Sequence, residues 1–345
     1  MGMLLAGDIG GTKTLLGLFD PAPRRPSPVA THEFITLEYA GLELMIRRFL
    51  EMRGVTPDRI TAASLGVAGA ITDQAANLTN VPWRLHAGDV ARAMGFRSLH
   101  LLNDLEALAY AIPVLTPDEL AVLQEGVPVA DGNAAVIAAG TGLGEALLLH
   151  VEDRFAPGES EGGHADFAAR TARELELVSV LTRIFGRVSA EHVLSGPGLV
   201  NLYQFTHDAF GDAPGATGAG AAPARTCEAV GPVEDPAELP PLITAAAAAG
   251  TCTKCVETVD MFVSAYGAEA GNLALRTVAT AGVYVGGGIA PRILPALRAG
   301  PFMEAFLAKA PMDKLVARIP VQVILNPASG LLGAAVHANG SRPQA

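Results

Sequence analysis

The chain is short of cysteine, of positive charge and of long apolar runs, and each shortage excludes a class of protein. Cys227, Cys252 and Cys255 are its only cysteines in 345 residues. An odd and small number is no disulfide framework and fits a reducing compartment, so a cytoplasmic location is expected. Lys and Arg number 24 against 35 Asp and Glu, a net charge of −11. That sign repels nucleic-acid phosphates and anionic head groups, so neither nucleic acid nor a membrane surface is an expected partner. Charged residues make up 17% and hydrophobic ones 50%, the balance of a well-cored globular chain, not a disordered one. The positive mean hydropathy comes largely from alanine. No stretch of about 18 to 20 strongly apolar residues is present to span a bilayer. Met1 to Ala6 has no basic start and meets Asp8 at once, so it reads as a first strand rather than a secretory signal.

What is present is α/β alternation on a scale of about 150 residues per domain, which predicts two domains. Leu4 to Ala6, a glycine-rich turn from Gly7 to Thr14, and Leu15 to Phe19 read as a β-hairpin. Ala134 to Ala139, the turn Gly140 to Gly144, and Glu145 to His150 repeat that shape. The spacing suggests a duplicated unit whose hairpins face each other. Helical spacing covers Glu43–Met52, Arg170–Phe185 and Glu257–Thr277. Strands are predicted at Ala62–Val67, Leu99–Leu102, Ala279–Val285 and Val321–Leu325, with a closing helix near Leu331–Val336. Gly211 to Pro241 is rich in Gly, Ala and Pro without periodicity and reads as a loop or insertion outside the functional core.

Three constellations can carry chemistry. In Asp8, Gly10, Gly11, Thr12 and Lys13, glycines let backbone N–H groups approach a phosphate, the threonine adds a donor, and Asp8 can hold a hydrated Mg²⁺. It is not a Walker loop, because strand-type residues follow it instead of a helix. Alone it is equally a plain hairpin turn, and the second turn, Gly140-Thr141, favours the phosphate reading. Asn103-Asp104 ends an apolar strand where a helix begins, so Asp104 is either a helix cap or the carboxylate that deprotonates an acceptor hydroxyl. Glu161-Gly162-Gly163-His164, with Asp166 and Glu191, brings carboxylates and an imidazole toward one small polar ligand. A surface loop with incidental charges is the competing reading, and a metal site lacks a second helical-spaced His. Cys252-Thr253-Lys254-Cys255 is a lone CxxC of helix-borne thiols, supplying two ligands where structural zinc needs four, so no metal is expected there. Gly286-Gly287-Gly288 after a strand permits close approach of a ligand.

Gly7-Asp8-Ile9-Gly10-Gly11-Thr12-Lys13-Thr14, Leu65-Gly66-Val67-Ala68-Gly69, Leu78-Thr79-Asn80-Val81-Pro82-Trp83, Asn103-Asp104, Gly140-Thr141-Gly142-Leu143-Gly144, Glu161-Gly162-Gly163-His164 and the run Leu194 to Tyr203 together resemble the bacterial glucokinases. Ser195 to Tyr203 is the most specific of them, and the motifs span nearly the whole chain in the family's order. The resemblance implies an actin-like, ribonuclease-H-like fold: a small α/β domain of residues 1–110 plus about 328–345, a large one of 111–327, and ATP and glucose held in a cleft between them. It implies Asp104 as general base for the sugar's 6-hydroxyl, with Asn80, Asn103, Glu161, His164 and Glu191 bonding the other hydroxyls. Asp8, Gly10, Gly11, Thr12, Gly140 and Thr141 would form the phosphate and Mg²⁺ site, with Asp8 reaching the metal through water. Gly287 and Gly288 would border the adenosine. A homodimer is expected. The zinc motif of the related ROK proteins follows their Glu-x-Gly-His, whereas Cys252 and Cys255 lie far from His164.

Three alternatives stay open: a kinase for another hexose or an amino sugar, a different phosphoryl donor such as polyphosphate, and a sugar-binding regulator. The regulator needs a DNA-binding element, for which a hairpin starting at Leu4 and a charge of −11 leave no room.

Overall fold

The computed structural model describes residues 2–341 apart from 70, 79, 80, 82, 153, 159, 211–225 and 234. By its internal contacts the chain divides into two units, Met1–Glu119 with Phe155–Glu159 and Asn326–Ala345, and Leu120–Arg154 with Ser160–Leu325. The first unit thus takes residues 111–119 and 155–159, beyond the boundary at 110 that the resemblance implies.

In the first unit β1 (Met3–Ile9) is apolar on both faces, with Leu5 and Ile9 in one hydrophobic cluster and Leu4 and Ala6 in another. A strand buried on both sides takes the centre of a sheet. β2 (Lys13–Asp20) pairs antiparallel with β1, β3 (Ser27–Ile35) antiparallel with β2, and β4 (Ile60–Val67) parallel with β1. After a small meander of β5 (Ile71–Thr72), β6 (Ala75–Asn77) and β7 (Arg84–His86), β8 (Leu99–Asn103) completes the order β3-β2-β1-β4-β8. Helices α1 (Leu42–Arg53) and α2 (Ala87–Met94) bury Met45, Ile46, Phe49 and Val90 among Leu5, Leu16 and Leu65. Each such side chain contributes about 1.5 to 3 kcal/mol on leaving water. The C-terminal helix Ser329–Gly340 covers the opposite face with Leu331, Ala334, Ala335 and Ala338. α3 (Asp104–Ala111) brings the Ala107 carbonyl against Gly333 of that helix.

The second sheet, with the helices that follow it in sequence, repeats the plan. β9 (Leu120–Gln124), β10 (Ala134–Ala139), β11 (Leu143–Val151) and β12 (Arg154–Gly158) precede α4 (Ala172–Phe185), α5 (Gly196–Thr206), α6 (Leu239–Ala248) and the long α7 (Thr253–Thr277). β13 (Gly282–Gly286) and β14 (Val321–Ile324) then complete the order β12-β11-β10-β13-β14-β9. β10 is antiparallel to β11 and parallel to β13, as β1 is to β2 and β4. The two sheets therefore share one topology, with β9 added to the second. Tyr266 of α7, fully buried, pins its centre: the Ala139 amide donates to Tyr266 Oη at 3.1 Å, and the hydroxyl lies 3.3 Å from the Ile137 and Gly286 carbonyls.

The structure departs from the sequence pattern in two places. The first turn is only Gly10–Thr12, not Gly7–Thr14, because Gly7 and Asp8 pair with Leu16 and Leu15 inside the β1–β2 ladder. The stretch Gly211–Pro241 is not all outside the core: Cys227 and Val230 pack against it, and α6 begins at Leu239. Its residues 211–225 lie outside the described residues. Among the described residues no helix is long and apolar enough to cross a membrane.

Candidate functional site

Asp8 sits near the end of β1, with Oδ2 against Gly330 in the first turn of the C-terminal helix. Burial pushes its carboxyl pKa up, and no described residue donates a hydrogen bond to it. A desolvated carboxylate without a donor is a fit seat for a hydrated cation. The turn beside it is closed by Gly10 N–H to the Lys13 carbonyl at 3.0 Å. It is braced from the end of β3 by Thr36, which sequence reasoning missed. The Thr36 amide donates to the Thr12 carbonyl at 2.9 Å, its hydroxyl to the Gly10 carbonyl at 2.9 Å, and Thr14 Oγ1 lies 2.9 Å from Thr36 Oγ1. Lys13 points elsewhere, its Nζ 2.6 Å from Glu33 on the surface.

At the end of β8 the cap proves to be Asn103, one residue before Asp104. Asn103 is the N-cap of α3: its Oδ1 accepts from the Leu105 and Glu106 amides, and its Nδ2 donates to the Gly69 carbonyl at 3.0 Å. Asp104 is the first helical residue, and its Oδ1 accepts from the Leu105 amide at 2.9 Å. Among the described residues, Asn103 Nδ2 has one hydrogen beyond its bond to Gly69.

The second turn, in the other unit, has its own set of polar groups. Glu191 Oε2 accepts from the Leu143 amide at 2.9 Å, directly after Gly140-Thr141-Gly142. Its Oε1 lies 3.8 Å from His164 Nδ1, and His164 Nε2 lies 3.8 Å from Glu161 Oε2. The structure therefore assembles Glu161, His164 and Glu191 as one partly exposed polar row, while Asp166 is drawn off to Arg187 at 2.8 Å. Gly162 and Gly163 make the row possible: a Cβ on Gly163 would collide with the Leu143 carbonyl of β11. A short bridge, Asp166 to Ser189, with Ala190 N–H on the Ala165 carbonyl, brings the Glu191 segment alongside. The run Ser195 to Tyr203 holds it there. Ser195 caps α5, its hydroxyl donating to the Glu191 carbonyl at 2.8 Å, Asn201 Nδ2 donates to the His192 carbonyl, and the Gly196 amide donates to the Gly140 carbonyl at 2.8 Å.

Gly287 adjoins the same turn. Its φ of +81° and the Ala139 carbonyl beside it exclude any side chain, and Gly288 next to it is exposed. Behind the Glu161 loop lies a group the motifs did not mark. Glu145 on β11 is 1% exposed, has an Oε1 without a hydrogen-bond partner among the described residues, and has its pKa pushed up to about 7. Burial is the main cause, the Glu269 charge adds to it, and Arg276 opposes it. Its signal was a lone Glu among the apolar residues of a strand. Asn80 lies outside the described residues. The CxxC does not stand alone: Cys227 and His207 join Cys252 and Cys255 in one cluster, because the chain returns to the start of α7.

The sequence model of the glucokinase family matches residues 5–341. A glucokinase of Synechocystis sp. is 35% identical over 343 residues, covering 96% of each chain. The crystal structure of a glucokinase from an Antarctic psychrotroph superposes with a TM-score of 0.82 at 30% identity, over 99% of this chain and 100% of that one. A ROK family glucokinase from Streptomyces griseus, solved with glucose and AMPPNP, shares the fold at a TM-score of 0.66 and 20% identity, over 99% and 100%. With one family matched from β1 to the C-terminal helix, and its fold built from two copies of the same actin-like sheet, this chain belongs to the glucokinase family and is a sugar-phosphorylating enzyme.

Proposed function

We propose that the chain transfers the γ-phosphoryl group of ATP to the 6-hydroxyl of D-glucose, with Asp104 as general base. The observation that carries this reading is the double engagement of Glu191, which bonds the amide after the Gly140–Gly142 turn and lies 3.8 Å from His164. One carboxylate thus ties a phosphate-type turn to a row of hydroxyl-binding groups. Glu161, His164 and Glu191 accept or donate to vicinal sugar hydroxyls, Asn103 offers its spare Nδ2 hydrogen, and Asn80 completes the set. Asp104 takes the proton of the 6-hydroxyl as that oxygen bonds to Pγ and the bridging oxygen leaves with ADP. The amides of Gly11, Thr12 and Thr141 receive the phosphates, Gly10 and Gly140, whose own amides donate to the Lys13 and Gly142 carbonyls, let them come close to the turns, and Gly287 and Gly288 leave room for the adenosine. Asp8 would hold Mg²⁺ through water, the ion neutralising phosphate charge. The proposal includes a homodimer in the cytoplasm, the former checked by sedimentation.

A coupled assay with glucose and ATP tests this, repeated with other hexoses, an amino sugar and polyphosphate. Asp104→Ala should lose about 10²- to 10⁴-fold in kcat. Near-normal turnover of a folded Asp104→Ala protein would leave Asp104 as no more than the first residue of α3.

A further inference from the structure

The chain brings four metal-ligating atoms together from three separate segments. Cys227 Sγ lies 3.8 Å from Cys255 Sγ, and His207 Nε2 lies 3.5 Å from Cys252 Sγ and 3.9 Å from Cys255 Sγ. All four atoms fall within 4.8 Å of one another. A tetrahedral zinc with Zn–S near ~2.3 Å and Zn–N near ~2.0 Å places its ligands about 3.8 Å apart for S···S and about 3.5 Å for S···N. The Cys227–Cys255 and His207–Cys252 edges match these lengths, and the His207–Cys255 edge is 3.9 Å. We propose that His207, Cys227, Cys252 and Cys255 form a structural Zn²⁺ site of the Cys₃His type.

The surroundings suit the ion. His207 Nδ1 lies 2.9 Å from the Tyr203 carbonyl, so the ring's proton belongs on Nδ1 and the Nε2 lone pair faces the thiols. Its ring stacks on Tyr203, centroids 3.9 Å apart, which fixes its plane. Tyr203 also places the second segment, its hydroxyl accepting from the Cys227 amide at 2.7 Å. Cys252 is the N-cap of α7 and Cys255 lies in its first turn. There the first turn of a 25-residue helix carries no side-chain cap, and its positive end suits a site of net negative charge. Binding displaces three thiol protons to solvent and leaves the complex with a single negative charge. No fourth open position remains for water, so the ion holds structure rather than doing chemistry. Thiols packed merely as small apolar groups would have no need of an imidazole lone pair aimed at them. The ligands join the end of α5, the segment after residue 225 and the start of α7, closing a loop of 45 residues between His207 and Cys252.

Elemental analysis of full-length protein, purified under reducing conditions without chelator, should find one zinc per chain. Cys252→Ser with Cys255→Ser should lose it, and a strong chelator should lower the melting temperature of the wild type but not of the variant. Should the double variant fail to fold, cobalt titration of the wild-type protein decides. A thiolate-to-cobalt charge-transfer band saturating at one equivalent, and absent from Cys227→Ser, supports the site. Zinc retained by a folded double variant overturns it. So do reduced wild-type protein that takes up neither zinc nor cobalt, and a Cys227–Cys255 disulfide in place of the metal.

Discussion

The two hairpin turns occupy the same place in two sheets of the same topology, yet they are braced by different chemistry. Gly10–Thr12 is held by the neutral hydroxyl and amide of Thr36, and the carboxyl near it, Asp8, has no donor among the described residues. Gly140–Gly142 is held by a carboxylate, Glu191, whose other oxygen faces His164. Under the proposed function, duplication supplies two phosphate turns and divergence of the brace gives them separate duties: one would leave a carboxylate for a cation, the other would couple its turn to the sugar row.

The sharpest way to break that comparison is Glu191→Gln. It removes a charge-assisted acceptor worth about 1.5 to 3 kcal/mol, and the KM values for glucose and ATP should rise together, kcat/KM falling about 10- to 100-fold. A rise in the glucose KM alone would uncouple the turn from the row. Next in size is the opposite response of the two units to pH. Glu145 in the second unit has its pKa raised from 4.5 to about 7. Its neutral form stabilises the fold fully below pH 4.5, and that contribution, on the order of 3 kcal/mol, is lost as pH rises through 7. His337 in the first unit, buried beside His100 with Ser64 Oγ 2.8 Å from Nδ1, has its pKa lowered from 6.5 to about 4. Its contribution is present above pH 6.5 and lost as pH falls through 4. Melting curves of Glu145→Gln should flatten the loss on the alkaline side, and those of His337→Gln the loss on the acid side. Curves parallel to the wild type would refute both assignments.

Thr36→Val should act more narrowly. It strands the Gly10 carbonyl and the Thr14 hydroxyl at a cost of about 1 to 3 kcal/mol, raising the ATP KM several-fold while the glucose KM stays put. An equal effect on both substrates would erase the distinction between the turns. Smallest is Lys13→Ala: its partner Glu33 is exposed, and surface pairs contribute less than about 1 kcal/mol. Melting temperature and ATP KM should hardly move, and a large rise in the latter would return Lys13 to the phosphates.

How much of this was legible follows from which signals are local. β1 and β10 are readable because strands buried on both faces are continuous apolar runs, whereas β3 escapes because only Phe34 of its nine residues is buried and Pro28 interrupts its pattern. Asn103-Asp104 was visible as a pair, but only backbone geometry shows that Asn103 rather than Asp104 is the N-cap. Glu161, His164 and Glu191 were legible as residue types, while the bond from Leu143 to Glu191 spans 48 positions. Thr36 and Glu145 carry no motif, since one acts through a single hydroxyl and the other through burial. The thiols misled because spacing counts neighbours along the chain, and Cys227 and His207 arrive through the fold.

The helix α5 joins two of these features as a lever. Its first amide is bonded to the Gly140 carbonyl, and its C-cap is His207. Its 11 residues make an arm of about 16 Å. A tilt of about 5° at the His207 end would swing the Gly140 end by about 1.4 Å, more than the roughly 0.5 Å within which reacting groups must be held. The aim of the phosphate turn is thus set partly at the far end of this rod, by whatever clamps His207 against the start of α7.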